Sequence, residues 1–148
     1  MKRPGLRRRQ DPKLERLAQL RLFSECSRHD LERIGAISVE VDVPAGRVLT
    51  REGEPGHEFF VIEEGTATAT LPDGKTATMG PGECLGELSL LNQTPRSATV
   101  TAETEMRLVV LDAREFAALM DEVPSVAKGV LAAVADRLRE AESPQPHH

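Results

Sequence analysis

The sequence predicts a mainly β domain, a roll or barrel of about eight short antiparallel strands with helices at both ends. Three observations carry that expectation. Between residues 39 and 112 the apolar residues come in short runs closed by glycine, proline or Asp-Gly, the punctuation of strands joined by tight turns. On either side, at 13–38 and 113–142, the spacing changes to that of amphipathic helices. The length, 148 residues with 39% hydrophobic and 29% charged, suits one domain around a single core.

Residues 1–12 are basic and are expected to form a flexible tail. From Lys13 the pattern is helical, with Leu14, Leu17 and Ala18 on one face of a first helix. Ser27 and Asp30 have capping-box spacing for a second helix, whose apolar stripe is Leu31 and Ile34. Strands are then expected at Val39–Val43, Val48–Arg51, Phe59–Glu63, Thr66–Leu71, Lys75–Met79, Glu83–Leu85, Ser97–Ala102 and Met106–Leu111. Pro44-Ala45-Gly46, Gly53-Glu54-Pro55-Gly56, Gly65 and Gly80-Pro81-Gly82 supply the breaks, and Asp73-Gly74 is a hairpin signal. Asp112 with Glu115 starts a helix that buries Phe116, Leu119 and Met120. After Pro124, the residues Ala127, Leu131, Val134 and Leu138 fall on one apolar stripe. Gly129 interrupts it at a cost of about 1 kcal/mol relative to Ala. Residues 143–148 are expected to form a second flexible tail.

Composition narrows the function classes. No apolar run approaches the roughly 20 residues of a membrane span, and the basic start is not followed by a signal-peptide core, so a cytoplasmic location is expected. Cys26 and Cys84 show no motif spacing and read as isolated buried thiols. Charge is divided unevenly, net +6 over residues 1–21 and net −11 over 22–148. An acidic body repels nucleic acid at long range, and no aromatic residue interleaves with the basic tail. Any anion site must therefore be local.

Residues 86–99 do more than turn the chain. Gly86-Glu87 opens a short apolar turn, Thr94-Pro95 ends it, and Arg96 heads an alternation through Ala98, Val100 and Ala102. That alternation directs Arg96 towards the apolar interior, where an unmatched guanidinium is costly. Glu87 is one candidate partner; a bound phosphate is the other. Arg presents a planar fork that matches phosphate bidentately. A helical turn starting at Gly86 offers free backbone N–H groups to the same anion, and a glycine there lets backbone approach closely. Glu87 then has a use as acceptor from a ligand hydroxyl such as a ribose 2′-OH. Buried phosphate with a ribose hydroxyl describes a nucleotide with an internal phosphate.

The run Gly86-Glu87-Leu88-Ser89-Leu90-Leu91, then Pro95-Arg96-Ser97-Ala98-Thr99-Val100, resembles the phosphate-binding cassette of cyclic nucleotide-binding domains. That family includes the regulatory subunit of protein kinase A and the bacterial catabolite activator protein. The resemblance implies an antiparallel β-roll, jelly-roll-like, at 39–112, N-terminal helices at 13–38 and a C-terminal helical lid at 113–142, one domain over 13–142. It also implies a cyclic nucleotide as ligand and no cofactor. Glu87 would take the ribose 2′-OH and Arg96 the cyclic phosphate, helped by Gly86, Ser97 and Ala98, with Leu85 and Leu88 against the sugar. Cyclic AMP is favoured, because serine follows the arginine in similar bacterial sensors; cyclic GMP stays open. The last helix has three readings: core packing, a lid over the base through Leu131, Val134 or Leu138, or a dimer seam.

Other chemistries find less support. Of the four histidines only His57 lies in the strand region, beside Glu58, a poor metal constellation. No serine or cysteine has a recognisable base partner, so no enzyme is expected. No nucleic-acid-binding module is expected. Output is expected through a protein partner or a homodimer, from a stand-alone sensor or regulatory module. The alternative is a degenerate roll that binds protein without nucleotide.

Overall fold

The computed structural model describes residues 12–142, the side chains of 138 and 140–142 excepted, so both expected tails lie outside the described residues save Pro12. Helix α1 (Pro12–Gln19) begins on a proline, which needs no N–H partner in a first turn. A single 3₁₀ turn (Arg21–Phe23) leads to α2 (Arg28–Ile37). The expected capping box forms: Ser27 Oγ accepts from the Asp30 N–H, and Asp30 accepts from the Ser27 N–H.

Eight strands follow: β1 (Val39–Val43), β2 (Val48–Thr50), β3 (Glu58–Glu64), β4 (Ala67–Thr70), β5 (Thr76–Met79), β6 (Cys84–Leu85), β7 (Thr99–Ala102) and β8 (Met106–Asp112). They form two four-stranded sheets, ordered β1-β8-β3-β6 and β2-β7-β4-β5, with every pairing antiparallel. This is the expected β-roll. Between β6 and β7 lies α3 (Glu87–Asn92); α4 (Ala113–Glu122) and α5 (Pro124–Glu142) close the chain.

Strand β3 explains how the layers stack. Phe59 and Val61 belong to one buried cluster with the helices; Phe60 and Ile62 belong to another, between the sheets. Strand β8 divides the same way, Val109 and Leu111 against Met106 and Leu108. Both strands are covered on both faces, hence their nearly unbroken apolar runs. The helical layer is pinned by Phe59 against Phe116 of α4, ring centroids 4.5 Å apart. Asp112 caps α4, its Oδ1 accepting from the Glu115 N–H at 2.7 Å. No helix among the described residues is long and apolar enough to cross a membrane.

Three expectations need correction. Ala18 is exposed, and Leu20 joins Leu14 and Leu17 in the core; α1 stops at Gln19, and Leu20 has an extended backbone ahead of the 3₁₀ turn. Cys26 is only half-buried, whereas Cys84 is buried; both are free thiols. The stripe on α5 also has a different phase. Leu131 is 62% exposed, and the face turned to the core carries Val126, Gly129, Val130, Ala133 and Arg137. That face contains a glycine and an arginine, so it does not register as apolar. Val134 is half-buried, and the side chain of Leu138 lies outside the described residues.

Candidate functional site

The turn from β6 into α3 sets the geometry. Gly86 has a φ of +97°, a conformation that favours glycine, and a Cβ there would sit 2.6 Å from Nη1 of Arg96 and 2.7 Å from the Glu58 carbonyl oxygen. Six residues of helix follow before Gln93, at φ 56°, closes α3 with its N–H on the Ser89 carbonyl. Ser89 Oγ donates to the Thr94 carbonyl at 2.5 Å, which ties the end of α3 to the Pro95-Arg96 corner.

Arg96 precedes strand β7, which begins at Thr99 and not at Ser97; its inward direction comes from the loop and not from strand alternation. It is 6% exposed. Its main chain is held by the loop before β3: Gly53 N–H donates to the Arg96 carbonyl at 2.9 Å, and Arg96 N–H to the Glu54 carbonyl at 2.8 Å. Its guanidinium donates from Nη2 to the Glu58 carbonyl at 2.7 Å and from Nη1 to the Gly86 carbonyl at 3.3 Å. Both acceptors are neutral. Burial pushes the Arg96 pKa below its ordinary value, opposed by the charges of Glu58 and Glu87.

Glu87, 1% exposed, is not the partner of Arg96. Its Oε2 accepts from Nη1 of Arg137 at 2.5 Å, and Arg137 Nη2 reaches the Cys84 carbonyl at 2.8 Å. Burial works against the charge of Arg137, but the hydrogen bond and charge of Glu87 prevail and raise its pKa. The Cys84 thiol next to them is pushed up to about 12, by burial first and by the charge of Glu87 second, which leaves it protonated and unreactive. One acidic and one basic side chain thus bind α5 to the first residue of α3.

The remaining expected site residues are placed as follows. Leu85 is buried between the sheets, and Leu88 is 40% exposed on α3. Ser97 is exposed; Ala98 is half-buried, with its carbonyl accepting from Thr50 Oγ1 at 3.0 Å. A cavity of about 520 Å³ opens between the 3₁₀ turn, the turn before β6 and α5, with Arg21, Cys84, Lys128 and Arg137 in its wall. Arg96 does not line it. Among the described residues no group of three His, Cys, Asp or Glu could hold a metal ion. Sequence reasoning missed Arg137. The signal was present: an arginine four residues after Ala133, in phase with Val126 and Val130.

Comparison with known proteins points to one family. The family model described as the cyclic nucleotide-binding domain matches residues 40–123. A cyclic nucleotide-gated potassium channel of Rhizobium etli is 42% identical over 88 residues, 60% of this chain and 24% of the channel. A CRP-like cAMP-activated global transcriptional regulator of Mycobacterium tuberculosis is 34% identical over 104 residues, 67% of this chain and 46% of that protein. The matches therefore span from a quarter to a half of these relatives. Among solved structures, the N-terminal domain of a Streptomyces coelicolor transcriptional regulator is similar at TM-score 0.63 and 37% identity, covering 85% of this chain and 92% of that one.

Proposed function

Since the chain belongs to the cyclic nucleotide-binding domain family, we propose that it binds a cyclic nucleotide and acts as a sensor or regulatory module. One observation carries the reading. Arg96 is a buried cation whose guanidinium meets two neutral carbonyls and, among the described ion pairs, no carboxylate. The exocyclic oxygens of a cyclic phosphate supply the missing negative charge, and the two-pronged fork supplies the geometry. The Ser97 hydroxyl or amide and the Ala98 amide complete the phosphate contacts. Glu87 accepts from the ribose 2′-OH, and Leu85 and Leu88 flank the sugar.

Cyclic AMP is the favoured ligand over cyclic GMP; the name of the similar mycobacterial regulator supports it. Output runs through α5. Arg137 joins that helix to Glu87, so a hydroxyl arriving at Glu87 alters a contact that α5 makes. Only a difference in affinity between two arrangements of α5 moves the equilibrium, and the arrangement selected is read by a protein partner or a second copy. Nothing in this scheme calls for catalysis. Titration calorimetry with cyclic AMP and cyclic GMP tests it, on the wild type and on Arg96→Ala. Saturable heat that Arg96→Ala abolishes supports the reading. Absence of heat and of thermal shift at millimolar nucleotide overturns it in favour of a module that binds protein alone.

A further inference from the structure

Gly56 has no backbone reason to be glycine. Its φ lies outside the left-handed region that Gly46, Gly53, Gly65, Gly74, Gly82 and Gly86 occupy. The reason is space. A Cβ at Gly56 would collide with Ser89 Oγ and come within 2.9 Å of Cζ and 3.0 Å of Nε of Arg96. At Gly80, which also has an ordinary φ, a Cβ would meet nothing within 4 Å.

The neighbours at Gly56 are not free to step aside. Ser89 Oγ is engaged with the Thr94 carbonyl. The Arg96 guanidinium is engaged with the Glu58 carbonyl, two residues beyond Gly56, and its main chain with Gly53 and Glu54, before it. The segment 53–58 therefore wraps the arginine, and Gly56 lies where an added Cβ would press on Cζ and Nε of the guanidinium. A methyl group at this point rotates the fork away from Glu58, and two-pronged recognition depends on the angle of the fork.

We propose that Gly56 is a positioning residue for phosphate recognition: its missing side chain keeps open the slot in which the Arg96 guanidinium lies between segment 53–58 and α3. The proposal rests on the reading that Arg96 receives a cyclic phosphate. It is tested with Gly56→Ala, with Gly80→Ala as the control, each in the wild-type and Arg96→Lys backgrounds. Cyclic AMP affinity is measured by calorimetry, and the Arg96 Nε–H resonance by NMR in ligand-free protein.

Gly56→Ala is expected to weaken binding about tenfold or more in the wild-type background, a factor worth about 1.4 kcal/mol. In the Arg96→Lys background, which lacks Cζ and the guanidinium plane, it weakens binding less than about threefold. The Nε–H resonance moves in Gly56→Ala and stays in place in Gly80→Ala. If Gly56→Ala does not fold, the pair Gly56→Ala/Ser89→Gly, which removes the collision with the hydroxyl, is measured in its place. Wild-type affinity in Gly56→Ala, an undiminished loss in the Arg96→Lys background, or an unmoved Nε–H resonance overturns the proposal. If the wild type binds no nucleotide, the binding reading falls, and the resonance alone decides whether Gly56 positions the guanidinium.

Discussion

Replacing Arg137 with methionine isolates the contact between α5 and the cassette. Methionine keeps much of the apolar stem that packs along the helix and removes only the charged fork. The loss falls on Glu87, which is 1% exposed and has its shortest hydrogen bond, 2.5 Å, to Arg137. Removing one member of a buried pair costs about 3–5 kcal/mol, because the other charge is left without a partner. Arg137 is 39% exposed on the far side, so water reaches part of the gap, and about 2–3 kcal/mol is the expected destabilisation. For a domain of this size that is a fall of about 6–9 °C in Tm, at roughly 3 °C per kcal/mol. The assay is urea unfolding followed by circular dichroism, with a thermal melt alongside. Glu87→Gln/Arg137→Met, which deletes both charges, is expected to recover to within about 1 kcal/mol of wild type. A single mutant within about 0.5 kcal/mol of wild type, or a double mutant no better than Arg137→Met, would refute the idea that a buried ion pair holds α5 to α3.

Four other outcomes are expected. Arg96→Ala lowers cyclic AMP affinity by about 2–4 kcal/mol, roughly 30- to 1,000-fold, and Arg96→Lys recovers only part of it, both read by calorimetry. Glu87→Gln weakens cyclic AMP more than its 2′-deoxy analogue; equal losses would remove the carboxylate from sugar recognition. Stability depends on pH through two neighbouring acids on the first sheet. Burial and the adjacent Glu40 raise Glu63 to about 7, while the hydrogen bonds of Arg16 hold Glu40 down to about 2, with Lys13 and Arg107 also facing the cluster. Glu63, raised above its ordinary value, weakens the fold as pH climbs from about 4.5 to 7; Glu40, lowered, weakens it as pH falls from about 4.5 to 2. Melts across pH 5–8 should show the first slope in wild type and its loss in Glu63→Gln. Gly129→Ala, despite a better helix former, lowers Tm, because the new Cβ would lie 2.9 Å from Leu22 Cδ1 and 3.1 Å from the Leu22 carbonyl oxygen.

Much of the architecture can be read before folding, because the cues are local. Asp73-Gly74 turns β4 into β5, Ser27 caps α2, Asp112 caps α4, and the unbroken run at Phe59–Ile62 marks a strand covered on both sides. Gly86, Glu87 and Arg96 stand out for the same reason, since a charged residue among small apolar ones is visible in a linear string. Helix α5 shows where this fails. Ala127, Leu131, Val134 and Leu138 make the more apolar stripe, yet the chain buries the face with Val126, Gly129, Val130 and Ala133. The choice belongs to Leu22, which lies more than 100 positions earlier and packs where a glycine lets it approach.

The sequence by itself determined the roll, its turns and its caps, and it made Glu87 and Arg96 conspicuous, since each rests on side chains within a few positions of one another. Tertiary structure alone decided the partners. It gave Glu87 to Arg137, 50 residues away, set Arg96 on the carbonyls of Glu58 and Gly86, and made Gly56 a matter of clearance and not of backbone angle. Charge and hydrogen bonding are satisfied by whatever lies nearest in space, and for buried groups that neighbour is fixed only when sheets and helices close together.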